Sequence, residues 1–413
     1  LLVGPFQDWR GPALASFDDV WQTINDSFHD PSFGGLDWTG IRSELRPKAE
    51  AAHSAESVRA VIRDMLARLR QSHFELLSAD SVEGPLGAAT VPISVRVTAD
   101  DVVITGVVAA STADRAGLRA GQVLVTVDGK PAAGWAASGP GETDGRVRAH
   151  HLYRRAIQAL HGSPGSVAEI GVREVNGRQR TVRVTRVAES GQAVTLGNLP
   201  PLHVTFEDRE VRSPGRRRVG VIAFNLWMTT IAGSIETAVE RYRRADGFVI
   251  DLRGNPGGLA SMLSGVAGHF IDKPLLLGTM HTRDAQLSFK VNPRVVMSDG
   301  RSVEPFSGPV AILVDELTGS ASECFAGALQ SLGRARVFGR LTMGQALPSV
   351  TRRLPNGDVL IYALGDFVTA TGRRLEGAGV EPDTLVPLSL EDLARGGDAT
   401  LTAALRWIDT QKR

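Results

Sequence analysis

Two serines, Ser320 and Ser322, stand in the segment GSASECFAGALQ at 319–330, directly after the strand-like run VAILVD at 310–315. A hydroxyl at a strand-to-helix corner lies beside backbone N–H groups that the helix leaves unpaired, where a developing oxyanion can be held. The chemistry implied is nucleophilic attack, with either serine a candidate. A serine hydroxyl is weak until a base takes its proton, so a histidine or an unprotonated lysine must be supplied. Only Lys412, near the chain end, follows the serines, whereas all nine histidines precede them. A histidine base therefore has to come from another layer of the fold. Glu376, in the glycine-rich turn RRLEGAGVEPD, is a carboxylate placed to project into a cleft and orient that base. The segment DLRGNPGG at 251–258 makes a second small-residue corner, where glycines let backbone N–H groups approach an oxygen closely. An N–H of Gly257 or Gly258, together with that of Ala321, is the expected two-part oxyanion site, and Asp251, Arg253 and Asn255 read as organisers of their turn.

Three kinds of sequence must position these groups. Residues 14–80 read as helical, through FDDVWQTINDSF, DWTGIRSEL and SAESVRAVIRDMLARLRQ. In the last, Val58, Ile62, Met65, Leu66 and Leu69 fall on one face and Ser54 can cap the start. The run RQSHFELL then delivers His73 where the helix gives way. From about 84 to 188 the chain turns to short β-prone runs, TVPISVRV, DVVITGVV, GQVLVTVDG and RTVRVTRV, with the short helix of STADRAGLRAGQ between two of them. Within this region GWAASGPGETDG reads as an exposed turn and RVRAHHLYRRAIQAL as a helix. After residue 189, strand and helix signals alternate through RVGVIAFN, SIETAVERYRR, ADGFVIDLRGNPGG and GPVAILVDE, the order of an α/β layer with crossover helices. The expectation is a multidomain α/β protein divided at 1–83, 84–188 and 189–413: a helical region, a β-rich domain and a mixed α/β core.

Composition narrows the function classes. The 413 residues are 42% apolar and 22% charged with net charge +1, an ordinary globular balance. The basic run PGRRRVG at 214–220 has no basic or aromatic companion segment, so it reads as a solvated turn and nucleic acid is not an expected partner. No run approaches 18 apolar residues, the length of a membrane span. The sequence begins at Leu1 rather than at a methionine, which leaves room for a preceding leader or lipid anchor. Cys324 is the only cysteine, so no internal disulfide forms, and it reads as a small core residue. His150 and His151 have no metal-ligand pattern around them and read as an exposed helix face.

The combination resembles a known family. The quoted helical layer, VVAASTADRAGLRAGQVLVTVDGK, DLRGNPGG, GSASECFAGALQSLGRARVFGRLTMG and GRRLEGAGVEPD occur in the order found in tail-specific, or carboxy-terminal processing, serine peptidases and the related tricorn-type core. The β-rich segment resembles a PDZ domain, which implies capture of an extended peptide C-terminus by strand addition. The family pattern places its nucleophile at the first serine of SASE, Ser320, leaving Ser322 as a capping or packing residue. The usual branch carries a lysine base 25 residues later, where this chain has Gln345, which cannot act as a base. The tricorn-like branch instead implies Ser72 and His73 before the nucleophile and Glu376 after it. Gln345 and Ser322 are then possible cleft residues. The resemblance implies peptide or protein substrates with free C-termini, a bacterial envelope, periplasmic or exported location, and room for a homo-oligomer. No metal, haem or nucleotide is required. The alternative is an inactive peptide-binding scaffold that retains the fold.

Overall fold

The computed structural model of the chain describes residues 9–80, 89–98, 101–136 and 145–412. Most of the expected turn at 134–145, and the start of the β-rich region at 84–88, lie outside those residues. The amino-terminal layer is three helices, α1 (Arg10–Ser27), α2 (Trp38–Glu50) and α3 (Ala55–Ala67). Ser54 caps α3 by accepting the Ser57 N–H at 3.1 Å. Val58, Ile62, Met65 and Leu66 are buried, each side chain stabilising the fold by roughly 1.5–3 kcal/mol relative to exposure.

That face does not close on the helices alone. It shares one core with Leu347, Leu354, Leu360 and Ala363 from the carboxy-terminal half. The short strand β1 (Glu75–Leu77), which follows His73, pairs antiparallel with 359–361. Arg59 of α3 donates to both oxygens of the fully buried Asp358 at 2.8 and 2.9 Å, and Ala79 N–H donates to the same carboxylate at 2.9 Å. His73 thus sits in a connection pinned on both sides. Asp358→Ala would leave Arg59 with only the exposed Glu56 at 3.3 Å and the Ala79 N–H without its acceptor, and is expected to cost about 1–3 kcal/mol, read as a lower denaturation midpoint.

The β-rich unit is an antiparallel sheet of β2 (Ile93–Thr98), β3 (Asp101–Val107), β4 (Val123–Val127), β5 (Val167–Arg173) and β6 (Gln179–Thr185), in that spatial order. Helix α4 (Gly145–Leu160) presses Leu152, Ala156 and Leu160 into its core. Among the described residues β2 is an edge strand.

The remaining strands are β7 (Phe206–Arg212), β8 (Arg218–Phe224), β9 (Gly247–Asp251), β10 (Leu276–Thr282), β11 (Gln286–Lys290), β12 (Val310–Val314), β13 (Ala335–Gly339), β14 (Ser349–Arg353), β15 (Val359–Ala363), β16 (Gly365–Thr369) and β17 (Thr384–Leu385). Six of them form the central sheet, ordered β7-β8-β9-β12-β13-β17 and parallel except for β7. Helices α5 (Ala232–Arg241) and α6 (Ala321–Ser331) make crossovers, and α7 (Ala399–Thr410) covers the opposite face with Ala404, Leu405 and Ile408. Covering both faces explains why VAILV reads as an unbroken apolar run and is wholly buried. Adjacent strands β9 and β12 release their following loops side by side at their carboxyl ends, where open α/β sheets place ligands. The hairpin β10–β11, which joins β16 in a separate sheet, has no counterpart in the sequence reading. Four residues of β11 are exposed and only one is partly covered, so the alternation that marks a half-buried strand is missing.

Candidate active site

Ser320 occupies the corner between β12 and α6 with φ 49° and ψ −120°, a left-handed geometry that serine seldom adopts. Such strain persists only where the surroundings enforce it. Here the Ser320 N–H reaches the Gln345 carbonyl at 2.8 Å and Glu323 Oε2 at 3.1 Å. The DLRGNPGG loop closes on the same corner. A Cβ on Gly257 would lie 2.6 Å from Ser320 Cβ and 3.0 Å from Ala321 N, so only glycine permits the approach. Buried Asn255 stitches the loop down: its side chain donates to Phe224 O at 2.8 Å, and its carbonyl accepts from Gly319 N at 3.0 Å. The Asn255 Oδ1 also accepts the Gly257 N–H at 2.9 Å. Gly257 therefore has its donor engaged, whereas the N–H groups of Gly258 and Ala321 have no acceptor among the described residues.

A second constellation lies at the turn after α3. Glu376 is 8% exposed; its Oε1 accepts the Ser72 N–H at 2.9 Å, and its Oε2 accepts the Ser72 hydroxyl at 3.0 Å and the Ala346 N–H at 2.9 Å. The Ser72 Oγ lies 2.7 Å from His73 Nδ1. A hydroxyl has one proton. Directed at the carboxylate, that proton leaves Ser72 Oγ as acceptor for a His73 Nδ1–H, which frees Nε2 as the basic nitrogen. The sequence reading put Glu376 directly on the histidine with Ser72 as an accessory; among the described residues the order is Glu376, Ser72, His73. His73 is itself in the left-handed region, φ 60°. Burial pushes its imidazole down to about 4, with the Glu75 charge pulling the other way. Burial raises Glu376 above the ordinary carboxylate range, against its hydrogen bonds from Ser72 and Ala346. The two constellations are joined through neighbouring peptide groups, Gln345 O holding Ser320 and Ala346 N holding Glu376. No hydrogen bond links His73 to the Ser320 hydroxyl among the described residues.

Residues 218–386, which include the serine corner and Glu376, match the model of Peptidase family S41, and residues 13–67 match the Tricorn protease C1 domain. Over 218–386 the chain is similar to peptidase family S41. It is 25% identical to the "Carboxyl-terminal-processing protease" of Picosynechococcus sp. over 94% of this chain and 87% of that one. It is likewise 25% identical to the "Probable CtpA-like serine protease" of Staphylococcus haemolyticus, over 79% of this chain but only 59% of that relative's length. The solved photosystem II D1 C-terminal processing protease shares its fold with TM-score 0.61 and 24% identity, covering 94% of this chain and 98% of the other. Serine peptidases of the carboxyl-terminal-processing type are thus the proteins this chain is similar to.

The other predicted residues divide by burial. Ser322 is fully buried, its hydroxyl accepting from Trp227 Nε1 at 2.8 Å, so it is a packing residue and lines no cleft. Cys324 is buried and burial pushes its thiol well up. Gln345 contributes its main chain: its N–H donates to Glu323 Oε2 at 3.0 Å while its carbonyl holds Ser320. Gln345→Ala is therefore expected to keep kcat/KM within about threefold of the parent. Glu323 was not singled out from sequence. Fully buried, it also accepts from Gly344 N at 2.7 Å and from the Thr342 hydroxyl, and burial pushes it up to about 7. The S-x-x-E spacing of a capping box, Ser320 to Glu323, is the signal in the sequence that marks it. A cavity of about 1050 Å³ lies away from the serine corner, between edge strand β2, helix α4 and the central sheet, with Ile93, Val95, Tyr153, Ile157, Arg253 and Asp398 among its lining.

Proposed function

We propose that the chain is a serine peptidase in which Ser320 is the nucleophile, His73 the base, Glu376 the orienting acid and Ser72 the bridge between them. The Ala321 and Gly258 N–H groups form the oxyanion site, with Gly257 supplying the clearance. The observation that carries this reading is the Glu376–Ser72–His73 chain of hydrogen bonds, because it fixes the tautomer that a base needs. His73 Nε2 takes the Ser320 proton as Oγ attacks the peptide carbonyl, and the imidazolium keeps its Nδ1–H on Ser72. The tetrahedral oxyanion is held by the two free backbone donors. His73 then protonates the leaving amine, and water releases the acyl group by the reverse route. A lysine at Gln345 is not needed.

Substrate recognition through C-terminal tails belongs to the same reading. The free edge of β2 beside α4, opening on the large cavity, suits an extended peptide added as a further strand, as in PDZ-like recognition. An exported or envelope location goes with it. The test compares turnover of one polypeptide with a free and with an amidated C-terminus. A higher KM for the amidated form supports tail capture; equal KM removes it. Absence of turnover and of Ser320 acylation alike would favour the inactive scaffold.

A further inference from the structure

Helix α4 has two opposed faces. One, through Leu152, Ala156 and Leu160, is embedded in the β-rich unit. The other carries Arg146, His150 and Arg154 at four-residue steps, one stripe along the helix. Arg146 donates to the carbonyls of Gly377 and Ala378, at 2.6 and 3.3 Å, immediately after Glu376. A Cβ on Gly344 would lie 2.7 Å from the same guanidinium, so Arg146 also lies against the loop leading to Gln345. Two turns on, Arg154 pairs with Glu75 Oε2 at 2.9 Å, two residues after His73. His150 sits between them, half-buried rather than on an exposed face, and interacts electrostatically with both Glu75 and His73.

We propose that α4 is a strut of the active site, with Arg146 and Arg154 as positioning residues that fix the separation between the loop bearing Glu376 and the loop bearing His73. This rests on the assignment of those two residues as acid and base. The span from residue 146 to 154 is ~12 Å of rigid helix, so docking of the β-rich unit sets a distance that neither loop sets alone. It also places a charge pair beside the base. The titratable and charged groups at or next to His73 are Glu75 of β1, His150 and Arg154 of α4 and, through Ser72, Glu376 with Arg374 near it; His151 acts on His150, and Arg63 of α3 (paired with Glu56) lines one cavity with Glu75 and Arg154. Arg154 holds Glu75 below the ordinary carboxylate range despite the raising effect of burial.

The test measures kcat, KM and the acid limb of kcat/KM in the full chain for Arg146→Ala, Arg154→Gln, Glu75→Gln and the last two combined, with thermal melts to exclude misfolding and His73→Ala as reference. Arg146→Ala is expected to lower kcat roughly tenfold with little change in KM, as for a displaced catalytic group. Arg154→Gln unmasks the Glu75 charge, favours the imidazolium and moves the acid limb up. Glu75→Gln moves it down. Each shift should be roughly half a pH unit, the size of a solvent-screened pair, and the double variant should return toward the parent. A purely structural role predicts no such opposition of sign. Unmoved limbs and unchanged kcat, with His73→Ala inactive, would overturn the strut while leaving the acid–base assignment standing. An active His73→Ala would overturn that assignment and the strut with it.

Discussion

Ser320→Ala should reduce kcat/KM by about 10⁴- to 10⁶-fold, and His73→Ala by a similar factor. The double variant should be no worse than either single one, because a nucleophile and its base act as one unit and their losses do not add. Ser320→Ala gives up the capping hydroxyl that accepts the Glu323 N–H, a cost of about 0.5–2 kcal/mol, so the melting temperature should fall modestly. Alanine meets the same backbone strain at φ 49°, and the anchoring bonds to Gln345 and Glu323 come from the main-chain N–H. Ser322→Ala provides the contrast. It removes the acceptor of the buried Trp227 N–H, so it should destabilise the fold by about 1–3 kcal/mol while acylation chemistry continues. Steady-state kinetics with a chromogenic peptide, together with melting curves, separate the two serines.

The second large effect concerns the bridge. Glu376→Gln offers one acceptor oxygen where three donors now converge, two from Ser72 and one from Ala346. The Ser72 hydroxyl then has no assured acceptor, the proton on His73 Nδ1 is no longer enforced, and kcat should fall by about 10³- to 10⁴-fold, as when the orienting acid of a triad becomes its amide. Ser72→Ala leaves Glu376 held by the residue-72 and Ala346 N–H groups but removes the bridging oxygen. A loss of about 10²-fold is expected, with Ser72→Thr recovering much of it. If Ser72→Ala were as active as the parent, the acid would have to reach His73 by another route.

Acidity acts on the fold through the same residue. Burial holds His73, His150 and His269 down at about 4, below the usual value of 6.5. As pH falls from 6.5 towards 4, the unfolded chain therefore takes up protons before the native one. Native stability is lost across that window, and the melting temperature should drop there. Burial acts in the opposite sense on Glu376, whose raised value lets protonation weaken the bridge as pH falls. The acid limb of activity is then a property of the pair.

How far these features were legible in the sequence follows from the range of the contacts. The strand-to-helix corner was readable because VAILVD and the helical spacing after it are local signals. The need for glycine near the corner was readable too, but which N–H remained free was not, since that turns on the Asn255 side chain two residues away. Ser320 and Ser322 look alike in sequence; backbone strain at one and a Trp227 contact across 95 residues at the other distinguish them. The hydroxyl bridge joins residues 304 apart, and no periodicity encodes such a contact. The pairing of three-residue β1 with 359–361 is equally invisible, because a strand that short carries no pattern. The stripe on α4 was present as spacing, but its partners were not.

The most direct test of His73-activated chemistry at Ser320 is the pH dependence of acylation by a fluorophosphonate, with the adduct mapped by peptide mass spectrometry and the fold followed by circular dichroism. The account predicts an adduct on Ser320 whose rate rises through a limb near pH 4, stays level to neutral pH, and disappears in His73→Ala. An adduct on Ser322, or Ser320 labelling that is undiminished in His73→Ala, would contradict it.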